Sequence, residues 1–93
     1  MSNTRDAYLA MERLRHARSV CQTAEHLRDW IHGRDPRDYR RFARARVRVM
    51  RHTETMEAHL RDYEPQATHP LLVYMDHVSD ELYERSRRIL KAL

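Results

Sequence analysis

One glycine, three prolines and one cysteine in 93 residues rule out several architectures at once. A loop-dense β fold needs glycine and proline at its turns, and disordered linkers are rich in the same residues. The lone cysteine, Cys21, cannot form an intrachain disulfide, which makes a reducing compartment the default. Lysine is almost missing: of the 18 lysine and arginine side chains, only Lys91 is lysine. No stretch approaches the roughly 20 apolar residues of a membrane span. The opening M-S-N-T-R-D-A-Y is no secretory signal. These absences lead to the expectation of a cytoplasmic protein with no membrane contact.

What is present is charge, at 34% of residues, and it is unevenly placed. Residues 39–53 carry six arginines and no acid, a local charge of +6, while the rest of the chain sums to −2. Arginine offers a planar fork that grips phosphate or carboxylate at two points, which lysine cannot do. A basic stretch this concentrated is suited to an anionic partner.

Apolar spacing predicts an all-α chain. Ninety-three residues make one domain, spanning 1–93, with helices over about 4–32, 36–63 and 69–92. Asn3 or Thr4 is expected to cap the first helix. Its inner seam reads Ala7, Ala10, Leu14, Ala17, Cys21, Ala24 and Ile31, flanked by Leu9, Val20 and Leu27. Gly33 is expected as the left-handed residue that ends it. The run D-P-R-D then starts the second helix, with Asp35 as cap, Pro36 at the first helical position and Asp38 reaching back. Phe42, Val49, Thr53, Met56, Leu60 and Tyr63 form its core stripe, and Glu64-Pro65 ends it. The third helix carries Leu71, Met75, Val78, Leu82, Ile89 and Leu93, with Leu72, Tyr83 and Leu90 beside them. Glu81–Arg85 and Glu84–Arg88 are favourable pairs at four-residue spacing. Short connections favour antiparallel neighbours, hence an up-down-up three-helix bundle. The wide apolar faces of the first and third helices leave room for a homodimer to complete it.

At roughly 100° per residue, Arg37, Arg40, Arg41, Arg44, Arg48 and Arg51 share an arc of about 100°, nearly opposite the Phe42–Val49–Met56 stripe. Arg46 falls off this strip and is expected to pair with an acid of another helix. The strip holds four like-charge pairs at helical spacing, each slightly destabilising, which suggests that it is occupied when the protein works. An internal counterpart, the acidic strip Asp76, Asp80 and Glu84, is the competing explanation. Tyr39 and Phe42 interleave with the arginines in sequence but turn away from them on the helix. That argues for gripping a backbone over reading bases. No helix-turn-helix or zinc-finger pattern is present.

Seven histidines raise metal chemistry. His52 and His59 lie seven apart on one face of the second helix, an up-down-up bundle can gather His59, His69 and His77 near one end with Asp62 or Asp76, and no H-E-x-x-H or Glu-x-x-His motif occurs. Cys21 lies on the small-residue seam, where a structural thiol belongs. The reading therefore assigns no catalytic residue, no metal and no cofactor. It expects a non-enzymatic module that binds an RNA or DNA backbone, alone or as a small subunit of a ribonucleoprotein assembly. The alternative is an adaptor or inhibitor that docks the same strip on an acidic protein surface.

Overall fold

Helix boundaries in this chain follow from its few backbone punctuators. A computed structural model describes residues 2–59 and 69–93, with side chains from residue 5 onward. It contains α1 (Ser2–Gly33), α2 (Pro36–His59) and α3 (Pro70–Lys91), with no strand among the described residues. Helix α1 begins at Ser2, so Asn3 and Thr4 lie inside its first turn and not ahead of it. Residues 60–63 of the expected second helix, including Leu60 and Tyr63, fall outside the described residues, as does the Glu64-Pro65 stop. No described helix is long and apolar enough to cross a membrane.

The break between α1 and α2 is built around Asp35. Its Oδ1 accepts from the Arg37 N–H at 2.9 Å, and its carbonyl accepts from the Asp38 N–H at 3.0 Å. Two of the donors that a helix start leaves over are thereby satisfied, and Pro36 has no N–H to waste at the first position. Asp38 makes no return bond to the cap among the described residues; its carboxylate pairs with Arg41 at 3.5 Å instead.

The left-handed residue of this turn is Arg34 (φ 56°), not Gly33. Helix α1 runs one residue further than the glycine suggested, because the Arg34 N–H still reaches the Trp30 carbonyl at 2.8 Å. A left-handed arginine is costly, and part of that cost is offset by its guanidinium lying over the Trp30 indole at 5.5 Å.

Helix α1 is the shared partner of the other two. It packs along both, whereas no α-carbon of α2 lies within 8 Å of one of α3 among the described residues. Trp30 meets Tyr39 at the turn, His16 meets Thr53 further along, and Tyr8 meets His59 at the far end. Small side chains permit this close packing. Ala10, Ala17, Cys21 and Ala24 of the expected seam are buried, together with Leu9 from its flank, whereas Ile31 is exposed. On α2 only Ala45 is fully enclosed, and Phe42, Val49, Thr53 and Met56 are half-buried.

On α3 the buried line is Leu72, Met75, Ser79, Ser86 and Ile89, and Leu71 is 58% exposed. The expected seam is thus rotated towards its neighbouring stripe. Ser79 and Ser86 donate to the Met75 and Tyr83 carbonyls at 2.9 and 2.7 Å, so their hydroxyls are satisfied within the helix. Small and satisfied, they take the close-approach positions, and the bulkier Val78 and Leu82 sit half-buried at the flank. The expected pairs on α3 are replaced too: Glu81 holds His77 at 3.0 Å, Glu84 holds Arg87 at 2.8 Å, and Arg85 crosses to Glu25 of α1 at 3.5 Å. The result is a slab of 48 × 22 × 17 Å.

Candidate functional site

Helix α2 presents its arginines outward. Arg37, Arg40, Arg41, Arg44, Arg48 and Arg51 are all exposed. Two have acidic partners, both at the start of the helix: Arg37 bonds Asp35 at 3.0 Å, and Arg41 bonds Asp38. The Arg37 guanidinium, and then the Arg37 N–H, hold the Asp35 carboxyl below its ordinary value. The reciprocal bond raises the Arg37 guanidinium further.

Beyond that first turn, Arg40, Arg44, Arg48 and Arg51 make no ion pair among the described residues. Off the strip, Arg13, Arg15, Arg28, Arg85 and Arg87 have acidic partners, whereas Arg5, Arg18, Arg34, Arg46 and Arg88 make no ion pair among the described residues. The acidic strip of α3 is not the counterpart of the arginine strip: Arg13 takes Asp76 and Asp80, and Arg87 takes Glu84. Arg46 differs from expectation. It is exposed and pairs with no acid among the described residues; α2 does not approach α3, so the α3 acids lie away from it.

Two features beside the strip were not anticipated. Tyr39 is 51% exposed, resting edge-on against Trp30 at 5.4 Å. Helical spacing turns it from the arginines, and its place at the α1–α2 turn leaves it at the rim of the molecule. Val47 and Met50 are 52% and 55% exposed. At 100° per residue Val47 lies next to Arg40 and Arg51, and Met50 lies further round, beside Arg46, both away from α1. The outer surface of α2 is thus a basic strip with an apolar border.

A second polar cluster lies between the helices. Glu12 is buried on α1 and accepts from Arg15 at 2.7 Å and from His52 of α2 at 3.3 Å. One turn on, His16 bridges all three helices: Nε2 meets Thr53 Oγ1 at 3.0 Å and Nδ1 meets the Tyr83 hydroxyl at 2.5 Å. The Thr53 hydroxyl proton is committed to the Val49 carbonyl at 2.8 Å, so Thr53 accepts from His16 Nε2–H, and Tyr83 donates to Nδ1. Beside it, Arg13 bonds Asp76 and Asp80 and lies 5.7 Å over the Tyr83 ring. Burial opposes the charge on Arg13, but the Asp80 bond and both carboxylates outweigh it, and its value rises. Helical spacing alone puts Thr53 and Tyr83 on apolar stripes and singles out none of Glu12, Arg13 and His16. A period of helical spacing shows which face a residue occupies, not that three helices bring their polar residues to one level.

Burial, and after it the charge of His52, lowers the His16 value below its ordinary 6.5. The unfolded chain then binds a proton more readily than the folded one just beneath pH 6.5, so stability falls as the pH drops through that window. Glu12, Arg13 and His52, with Asp80 and Tyr83 across the interface, are the other titratable groups around it. Urea midpoints at pH 7.5 and 5.0 are expected to separate in the wild type and to draw together in His16→Gln. Equal pH sensitivity in both proteins would remove His16 as the cause.

The remaining histidines do not gather. His77 is engaged by Glu81, His59 stands edge-on to Tyr8 at 6.2 Å, and no group of three or more metal-ligating side chains occurs among the described residues. Cys21 is buried, and its thiol donates to Glu25 at 3.3 Å; burial and this bond push its value up, away from the reactive thiolate. Comparison with family models, with curated proteins and with solved structures returned no match for this chain.

Proposed function

We propose that this chain is a non-enzymatic helical module that binds the phosphate backbone of RNA or DNA through the arginine strip of α2, alone or as a small subunit of a ribonucleoprotein assembly. One observation carries the reading: Arg40, Arg44, Arg48 and Arg51 are exposed on one face of a single helix and make no ion pair among the described residues. Like charges at helical spacing repel, and phosphates would relieve that repulsion. From Arg37 to Arg51 the strip is about 21 Å long at 1.5 Å per residue, enough to follow several phosphates. The up-down-up course belongs to this proposal. It is supported by Trp30–Tyr39 at one end of the α1–α2 pair and Tyr8–His59 at the other.

Val47 and Met50 favour a second reading, in which the strip docks on an acidic protein. Apolar side chains bordering arginine are common in protein interfaces and contribute nothing to a phosphate contact. Binding of fluorescent RNA and duplex DNA, with polyglutamate as competitor, separates the two. No binding of either nucleic acid at low salt overturns the first reading.

A further inference from the structure

We propose that the flank of α3 bearing Leu71, Tyr74, Val78 and Leu82, with Leu14 of α1 beside it, is the interface of a homodimer. Among the described residues four large apolar side chains are buried (Leu9, Leu72, Met75, Ile89), and eleven are exposed. Leu71 and Tyr74, at 58% and 64%, are the two most exposed of them. They are the first positions of a line that continues through Val78 and Leu82 at steps of three, four and four residues. Tyr74, Val78 and Leu82 of this line border a groove between α1 and α3 that Leu14, Met75 and Arg18 complete. A second groove shares Val78 and Leu82 and is lined beyond them by Glu81, Glu84, Arg85 and Arg88. No residue of the arginine strip, nor any other residue of α2, lines either groove.

Two arguments identify a second copy as the occupant. The first is area. The chain exposes 6823 Å², whereas a compact monomer of 11.3 kDa exposes about 5,700 Å². The excess of roughly 1,100 Å², spread over a slab of 48 × 22 × 17 Å, is large enough to supply the ~800 Å² that each partner buries in a stable complex. The second is symmetry. When two copies of α3 cross antiparallel with the midpoint between residues 76 and 77, Leu71 faces Leu82, and Tyr74 lies one residue, about 1.5 Å along the axis, from the level of Val78. An apolar residue then meets an apolar residue at every position of the line, as an isologous two-fold interface requires. No charge occupies any of the four positions. The narrow contact of α3 with α1 through Ser79 and Ser86 explains why this line is left over: the small residues take the inside of the helix, and the large ones are displaced to the flank.

Sedimentation equilibrium of the protein without nucleic acid tests this directly. The wild type is expected at about twice the chain mass of 11.3 kDa at tens of micromolar, dissociating on dilution. Leu71→Glu with Tyr74→Glu should give the monomer mass with an unchanged helical circular dichroism spectrum, since both side chains are already exposed. Val47→Glu with Met50→Glu, an apolar pair of similar exposure on α2, should leave the dimer intact. A wild type that is monomeric at 500 µM overturns the proposal. So does a dimer that survives the α3 changes or is broken by the α2 pair.

Discussion

Changing Arg40, Arg44 and Arg48 together to glutamate is expected to abolish binding of a 20-nucleotide RNA or DNA, a loss of roughly a hundredfold or more at low salt. Three phosphate contacts disappear and three repulsions replace them. Bulk charge falls as well, so the informative control is Arg87, Arg88 and Lys91 to glutamate on α3, an identical change in net charge away from the strip. That variant should retain most of its affinity. Equal losses would mean that the protein binds through its overall charge and that the strip has no special part. The single change Arg44→Glu separates binding from stability further. It turns the repulsive Arg40–Arg44 and Arg44–Arg48 pairs into attractive ones and should stabilise α2 by about 0.5–1 kcal/mol, while weakening binding. A protein that becomes more stable and less able to bind carries its repulsion for the sake of a partner. Fluorescence anisotropy and thermal unfolding on the same samples read both effects.

The largest stability effect is expected from Ala17→Leu. Ala17 has no exposed surface and sits on the line of small residues with which α1 packs against its neighbours. A leucine there adds three carbons where no space exists. Overpacking of this kind costs about 1–3 kcal/mol, which for a domain of this size lowers Tm by roughly 5–20 °C. Met11→Leu, at an exposed position of the same helix, should stay within about 0.5 kcal/mol of wild type. A melting temperature unchanged by Ala17→Leu would show that the helices do not approach as closely as Ala10, Ala17 and Ala24 imply.

How much of this was legible in the residues differs from element to element. The α1–α2 turn could be read because its chemistry is local: Asp35 and Pro36 cap the helix that they begin. Its left-handed residue could not, because ending at Gly33 or one residue later depends on whether the Arg34 guanidinium finds the Trp30 ring. The small-residue seam of α1 was legible from spacing alone. The seam of α3 was not, since hydrophobic periodicity favours Leu71, Val78 and Leu82, while close approach favours Ser79 and Ser86. Serine looks polar in a sequence and acts as a small residue once its hydroxyl bonds its own helix. The outward direction of the six arginines followed from their period. The freedom of Arg46 and the bridge made by His16 did not, because both depend on which acids and hydroxyls other helices bring near.

The proposed dimer interface and the arginine strip use different helices, so each proposal can fail without the other. Loss of self-association in Leu71→Glu with Tyr74→Glu would leave α2 intact. Loss of binding in the arginine variants would leave the sedimentation mass unchanged. Two strips on one dimer would also engage a long nucleic acid together, a gain through effective concentration that a short oligonucleotide cannot show.

The salt dependence of duplex DNA binding tests the central claim most directly. If four to six strip arginines neutralise phosphates, log K against log[salt] has a slope of about −3.6 to −5.4. In Arg40→Glu, Arg44→Glu, Arg48→Glu protein the residual binding should have a slope closer to zero. A wild-type slope near zero, or one that the triple change leaves untouched, would contradict the assignment of the α2 strip as a phosphate-binding surface.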